Sequence, residues 1–289
     1  MPVNLPSEFD CDIYLQENPD LAGFSKDQLS AHWINHGMKE GRSASLIRSR
    51  HDFLSYLATC KSLLEIGCFD RPSLEFLNDQ ERVIHYADYL AYDQLVERAR
   101  LIPGRNPETV PPIEYVLSAG YDKINVKYEA VVSHHCVEHQ PDLIGHLLNV
   151  RDLVASQGAY FFSVPDKRRC FDHYIPSSTI VDVVVAHLER RAKPPLQSVL
   201  EHRCFISHRW EEEDDPYSSL DSDMRLRINA AFEEFKRGDY IDVHCWQFTP
   251  ASLKTLFSQI KTYNFVPEIS AICIYCAPNE FYVALFFSP

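Results

Sequence analysis

Three histidines and an acid crowd one short stretch of this 289-residue chain, Ser133-His134-His135 followed by Glu138-His139. Histidine changes charge near neutral pH, so such a cluster suits removal of a proton from a hydroxyl group. His244, in the segment Asp242-Val243-His244-Cys245-Trp246, is a fourth candidate base. A single histidine is more often a hydrogen-bonded structural residue, but three within six positions point toward chemistry without choosing among them. A second constellation is Glu65-Ile66-Gly67 taken with Asp88, 21 positions after that glycine. A strand ending in a glycine turn and the next strand ending in an acid have the spacing of a nucleoside site. Glycine lets backbone approach the ligand, and the carboxylate grips vicinal ribose hydroxyls. The fuller G-x-G-x-x-G fingerprint is absent.

These residues need a scaffold, and the stretch Tyr128 to Lys167 supplies its centre as one strand–helix–strand unit. Ala130 to Ser133 is a short β-branched apolar run, as in a strand buried on both faces of a parallel sheet. Pro141-Asp142 suits a first helical turn, and Leu143, Leu147, Val150 and Val154 make one apolar face at helical spacing. Gln157-Gly158 is expected to close that helix before a second buried strand, Ala159 to Val164. Polar residues beyond the carboxyl ends of such strands lie where ligands bind. The histidine cluster and Pro165-Asp166-Lys167 therefore share one rim.

Earlier in the chain, Leu63 to Ile66 and Val83 to Ala87 read as strands, with helices to about Leu77 and over Tyr92 to Arg100. Ile113 to Leu117 reads as a third strand. Strands alternating with helices imply a parallel sheet covered on both sides. Residues 167 to about 240 break the alternation with helical patterns over Thr179 to Arg191 and Asp223 to Lys236. This insertion is expected to form a helical lid over the rim, and its acidic run Glu211 to Asp215 a solvated loop. The pattern then resumes with a helix from Pro250 to Lys261, capped by Thr249. Two last strands, Ile269 to Tyr275 and Phe281 to Phe287, are joined tightly enough to be antiparallel. Residues 1–46 stand apart as two short helices stopped at Gly37 and Gly41, leaving 47–289 as the main domain.

Composition narrows the field. A net charge of −13 argues against a nucleic-acid partner, which calls for a basic patch. No apolar run nears the roughly 20 residues of a membrane helix. The amino terminus shows no basic segment followed by an apolar one, and nine scattered cysteines fit reduced thiols, so a cytoplasmic location is expected. Cys273-x-x-Cys276 falls in a strand-like run and reads as buried thiols.

From about Ser62 to the carboxyl terminus the chain resembles class I S-adenosylmethionine-dependent methyltransferases. Leu-Glu-Ile-Gly at 64–67 matches their first motif in part, Tyr-Ala-Asp at 86–88 their second, and 133–143 with 158–167 their fourth and fifth. The closer likeness is to a bacterial subgroup associated with glycosyltransferases and surface-glycan loci, through SVPDKRRCFDHY, IDVHCWQFTP and NEFYVAL. The pattern YLQENPDL…AHWINHGMKEGR resembles a small helical module attached to such enzymes. The resemblance implies a seven-stranded, mostly parallel, doubly wound α/β sheet with an antiparallel last strand. It also implies S-adenosylmethionine as cofactor, with Glu65, Gly67 and Cys68 near its methionine end and Asp88 on the ribose. Tyr89 and Leu90 would flank the adenine, with Ala119 nearby, while Ser133 and His134 would border the sulfonium. Phe69 stands where most relatives have a second glycine, and no acid occupies the place of Ala119.

The activity so implied is methyl transfer to an oxygen of a sugar or glycan precursor, with His134, His135, His139 and His244 as candidate bases. Arg168, Arg169, Asp172 and His173 open the insertion and would suit a phosphate-bearing or uronic-acid acceptor. No metal is assigned. His135, Glu138 and His139 have nitrogen and oxygen ligands that suit zinc or another transition ion, as a similar set is thought to provide in quinone-pathway O-methyltransferases. A Glu-His pair at this point is, however, structural in many methyltransferases. Two other readings stay open. One is a catalytically silent domain that binds a glycosyltransferase partner through residues 1–46; the other is a small-molecule O- or N-methyltransferase.

Overall fold

A computed structural model describes residues 3–212, 215–218 and 223–288. Seven strands are present: β1 (Ser62–Ile66), β2 (Val83–Asp88), β3 (Tyr115–Val116), β4 (Tyr128–His134), β5 (Val154–Pro165), β6 (Ile269–Cys276) and β7 (Glu280–Phe287). They form one sheet in the order β3-β2-β1-β4-β5-β7-β6. The first five pair in parallel, and β7 runs antiparallel to both β5 and β6. Strand order reverses between β1 and β4, which opens a crevice at their carboxyl ends. The register Ile66↔Ser133 brings Gly67 level with His134.

Both faces of the sheet are covered, which is why its central strands are apolar without a break. Along β4, Val131 faces Leu143, Leu147 and Val150 of the helix Leu143–Leu153. Ala130 and Val132 face the opposite core, with Phe53 and Leu57. Asp142 caps the 143–153 helix by accepting from Gly145 N–H at 2.8 Å. Thr249 does the same for the helix Pro250–Thr262, accepting from Ser252 N–H at 3.1 Å.

Several local expectations shift. The 143–153 helix stops before Gln157-Gly158, because Val154 already pairs with Tyr128 as the start of β5. A Cβ at Gly158 would meet Glu129 O at 2.7 Å, so that glycine serves close backbone approach rather than a helix stop. The third strand shrinks to Tyr115–Val116, since Pro111 and Pro112 precede it and Leu117 enters a 3₁₀ turn. Near the amino terminus, the helix Lys26–His32 continues through a wider turn at Trp33–Gly37 and ends at Gly41, whose φ is +71°. Gly37 is helical, and its missing side chain leaves room for Tyr14 and Trp33.

Residues 3–46 lie against the end of the sheet. The Glu8 carboxylate accepts from Ile274 N–H on β6 at 2.7 Å and pairs with Lys254 at 3.1 Å. Tyr275 Oη donates to Pro6 O at 2.8 Å. The insertion carries helices at Ile180–Leu188 and Met224–Lys236, and a further one at Leu196–Leu200 that the sequence pattern had hidden. Val199, Cys204, Ala231, Ile241 and Val243 give it a core of its own. Of the acidic run, Glu213 and Asp214 lie outside the described residues. Among the described residues no helix is long and apolar enough to cross a membrane.

Candidate active site

Glu65 is buried near the end of β1, where its carboxylate accepts from Ser73 N–H, Ser73 Oγ–H at 2.7 Å and Leu74 N–H. It therefore fastens the loop 67–74 beneath the crevice. Burial still pushes its carboxyl up to about 7. Gly67 follows with φ +73°, and its N–H bonds to Ala87 O at 2.8 Å. A Cβ there would reach Cys136 Sγ at 3.4 Å, so backbone is presented where a side chain would stand. Cys68 is partly buried, and burial raises its thiol far above the usual range.

Phe69 keeps the left-handed backbone expected of a glycine, with φ +50°. Its ring turns toward the helix Tyr92–Leu101, packing against the buried cluster of Leu95, Ala99 and Val110. The Arg105 and Arg98 guanidinium carbons lie 5.0 and 5.8 Å from its centroid. Asp88 is buried at the end of β2 and accepts from Leu90 N–H at 3.2 Å. Burial raises its carboxyl, and the N–H groups of Leu90, Tyr89 and Phe69 oppose that shift. Tyr89 is exposed, Leu90 belongs to the Phe69 cluster, and Ala119 lies exposed in the turn after β3. The Asp122 carboxylate folds back against Gly120 beside it.

At the end of β4 the side chains divide by face. Ser133 turns inward: its hydroxyl bonds Tyr160 Oη at 2.6 Å, and Tyr160 in turn meets His146 Nε2 at 3.0 Å. That hydroxyl is engaged in the core rather than pointed at the crevice. His134 Nδ1 bonds Ser163 Oγ at 2.9 Å, while its buried Nε2 has no hydrogen-bond partner. Burial holds this imidazole well below its ordinary value, so it is neutral at pH 7. His135 has φ +48° and places Nε2 2.9 Å from Glu280 Oε2. Burial opposes its charge, but Glu138 and Glu280 raise it to about 9, so it already holds the proton a base would take.

His139 and His244 meet edge to face, with ring centroids 4.7 Å apart. His139 Nδ1 stands 2.9 Å from Asp242, and His244 Nδ1 bonds Asp172 Oδ2 at 2.6 Å. Glu138 lies close to both, fully buried. A cleft of about 490 Å³ opens at this rim, lined among others by His135, Arg169, Phe171, His208, Glu211 and His244. Arg168 turns away from it, toward Asp166 and Lys39 O. Glu280 and Asp242 were not anticipated as partners of His135 and His139. Both lie about a hundred or more positions from those histidines, and only strand pairing and loop crossing bring them in.

A family model described as a methyltransferase domain matches residues 38–260. Solved structures similar to the chain include plantazolicin methyltransferase BpumL, at 10 % identity over 96 % of each chain with a TM-score of 0.42. DhpI, at 13 % identity, covers 98 % of this chain and 100 % of its own with the same score of 0.42. A putative zinc-dependent alcohol dehydrogenase from Rhodobacter sphaeroides, at 13 % identity, covers 90 % and 98 % with a score of 0.43. No curated protein matches the chain. Such distant structures carry no argument about chemistry; the family match and the sheet do. The chain belongs to the methyltransferase-domain family, as an S-adenosylmethionine-dependent enzyme with the seven-stranded fold. The residues present fit that cofactor. Gly67 offers bare backbone against Cys136, Asp88 offers a buried acceptor for ribose hydroxyls, and Phe69 is folded out of the turn into its own apolar cluster.

Proposed function

We propose that the enzyme methylates an oxygen of a small polyhydroxyl acceptor, a sugar or glycan precursor, held in the cleft between the strand ends and the insertion. The observation that carries this reading is the group of charged side chains in the cleft's lining, set beside Pro165 and Phe171. Arg169 and protonated His135 suit carboxylate or phosphate groups, and the acids Glu211 and Glu212 suit hydroxyls. Bound at Gly67 and Asp88, the cofactor supplies a methyl group on a positively charged sulfur. The chain's own part is to hold the acceptor oxygen in line and to deal with its proton.

Of the four histidines, His135 and His244 line the cleft. His135 is protonated and suits a binding role. His244, held through Nδ1 by Asp172 at 2.6 Å, marks the corner against which the acceptor hydroxyl is set. A cytoplasmic location belongs to the same reading. A glycosyltransferase partner docking through residues 1–46 draws no support from the module's packing, because Tyr14 and Trp33 are buried there with Cys276 of β6.

The test is a labelled-methyl screen of nucleotide sugars and uronic acids against phenols and amines, with calorimetric titration of S-adenosylmethionine alongside. Label transferred to sugars supports the reading; label confined to phenols or amines replaces the acceptor class. A folded sample that takes up no cofactor overturns methyl transfer altogether.

A further inference from the structure

Glu138 is only partly answered within the chain, by the charge of His135. Its side chain is fully buried and neither carboxylate oxygen has a hydrogen-bond partner. His135 Nδ1 comes to 3.4 Å from Oε1 without the alignment of a bond. Protonated His135 offers charge there but no hydrogen bond, and a buried carboxylate without donors still calls for a closer cation. Around it, one donor atom each from Glu138, His139 and His244 lies within 4.8 Å of the other two. The main chain fixes this meeting, since Cys245 N–H and Trp246 N–H both donate to Glu138 O, at 2.7 and 3.2 Å.

A carboxylate stands beside each imidazole. His244 Nδ1 bonds the buried Asp172, and His139 Nδ1 lies 2.9 Å from Asp242 without the alignment of a hydrogen bond. Ligating histidines hand the second ring nitrogen to an acid, as His244 does here. We propose that Glu138, His139 and His244 bind a divalent transition-metal ion of the zinc type, with Asp172 and Asp242 as outer carboxylates. Two nitrogens and one carboxylate oxygen fill three places of a tetrahedral shell and leave one open. Bonds of about 2.0–2.2 Å draw the three donors inward by side-chain rotation. His135 stays outside the set, because its Nε2 is turned to Glu280.

Of the three ligands, His244 lines the acceptor cleft, so the open place would be reached from that side. A hydroxyl that takes it is acidified by the ion. Its proton passes to water in the cleft, the oxygen forms the new bond to the methyl carbon, and the carbon–sulfur bond breaks to leave the neutral thioether. This role rests on the methyl-transfer reading, whereas binding of the ion does not.

The experiment is cobalt(II) titration of chelator-stripped protein, followed by visible absorption and zinc displacement. One equivalent is expected, with the intense bands of a tetrahedral site. Affinity should fall about 10–100-fold in Asp172→Asn, and the bands should vanish in His244→Ala and Glu138→Gln, each checked for folding by circular dichroism. If either of the last two fails to fold, Asp172→Asn still decides the matter. A wild-type protein that takes up neither cobalt nor zinc overturns the proposal, as do variants that bind as tightly as wild type. Cofactor titration on the same sample separates the two ideas. Cofactor uptake without metal uptake sinks the ion alone, and metal uptake without cofactor uptake sinks methyl transfer alone.

Discussion

Tyr240 stacks on Tyr89, with ring centroids 5.5 Å apart and planes 25° from parallel. Two residues on, Asp242 bridges Arg98 at 2.7 Å and His139 at 2.9 Å. Tyr89 and Arg98 follow β2, and His139 follows β4. Because β1 lies between those strands, the segment 240–242 crosses the end of β1, where Gly67 sits.

Cofactor exchange should therefore depend on that crossing. An aromatic pair contributes roughly 0.5–1.5 kcal/mol beyond its buried area. Tyr240→Ala and Asp242→Ala are each expected to speed release of S-adenosylhomocysteine by about 3–10-fold, read by stopped-flow fluorescence. Release rates unchanged in both variants would show that the segment does not cover the cofactor.

Asp88 tests the ribose end directly. Its carboxylate is buried and accepts from Leu90 N–H, leaving acceptor capacity for ribose hydroxyls. Charge-assisted hydrogen bonds of this kind contribute roughly 1.5–3 kcal/mol. Asp88→Ala should weaken S-adenosylmethionine binding by about 2 kcal/mol, close to thirtyfold, in calorimetric titration. Unchanged affinity would place the ribose elsewhere.

Glu65 gives the fold a pH dependence whose sign can be worked out. Its ordinary value is 4.5, and burial at 1 % exposure pushes it to about 7 in the folded chain. The folded state thus binds the proton more tightly than the unfolded one. The stability this provides is fully present below about pH 4.5 and is lost as pH rises through 7, on the order of 3 kcal/mol. Glu65→Gln keeps the shape and cannot ionise. Its Tm should match wild type near pH 5 and exceed it at pH 8. A glutamine variant less stable than wild type at pH 8 would mean that Ser73 and Leu74 hold the carboxylate ionised after all.

The sheet and its switch point were legible because buried parallel strands write themselves as unbroken apolar runs, and because Gly67 and Asp88 sit at strand ends. The inward turn of Ser133 follows from strand alternation, which sets it on a face with Val131 and His134 on one with Val132, against the expectation that both border the sulfonium. Glycine misled twice. Gly37 and Gly158 look like stops, yet each makes room for a neighbour, Tyr14 in one case and Glu129 O in the other. The meeting of His244 with Glu138 and His139 could not be read at all. It is set by two backbone bonds, from Cys245 and Trp246 to Glu138 O, between segments that local patterning cannot relate.

The amino-terminal module yields the last prediction. β6 is an edge strand of the sheet, and an unpaired edge invites pairing with another chain. Residues 3–46 answer part of that edge, since Glu8 takes the Ile274 N–H and Pro6 O takes the Tyr275 hydroxyl. Trp33 and Tyr14 pack with Cys276 at the strand's end. Glu8→Ala should cost about 1–2 kcal/mol in denaturant unfolding, because it leaves a strand N–H and Lys254 without their shared acceptor. A chain beginning at residue 47 should melt earlier and self-associate in size-exclusion chromatography. A monomeric truncated chain with unchanged Tm would mean that the module contributes nothing to the sheet it lies against.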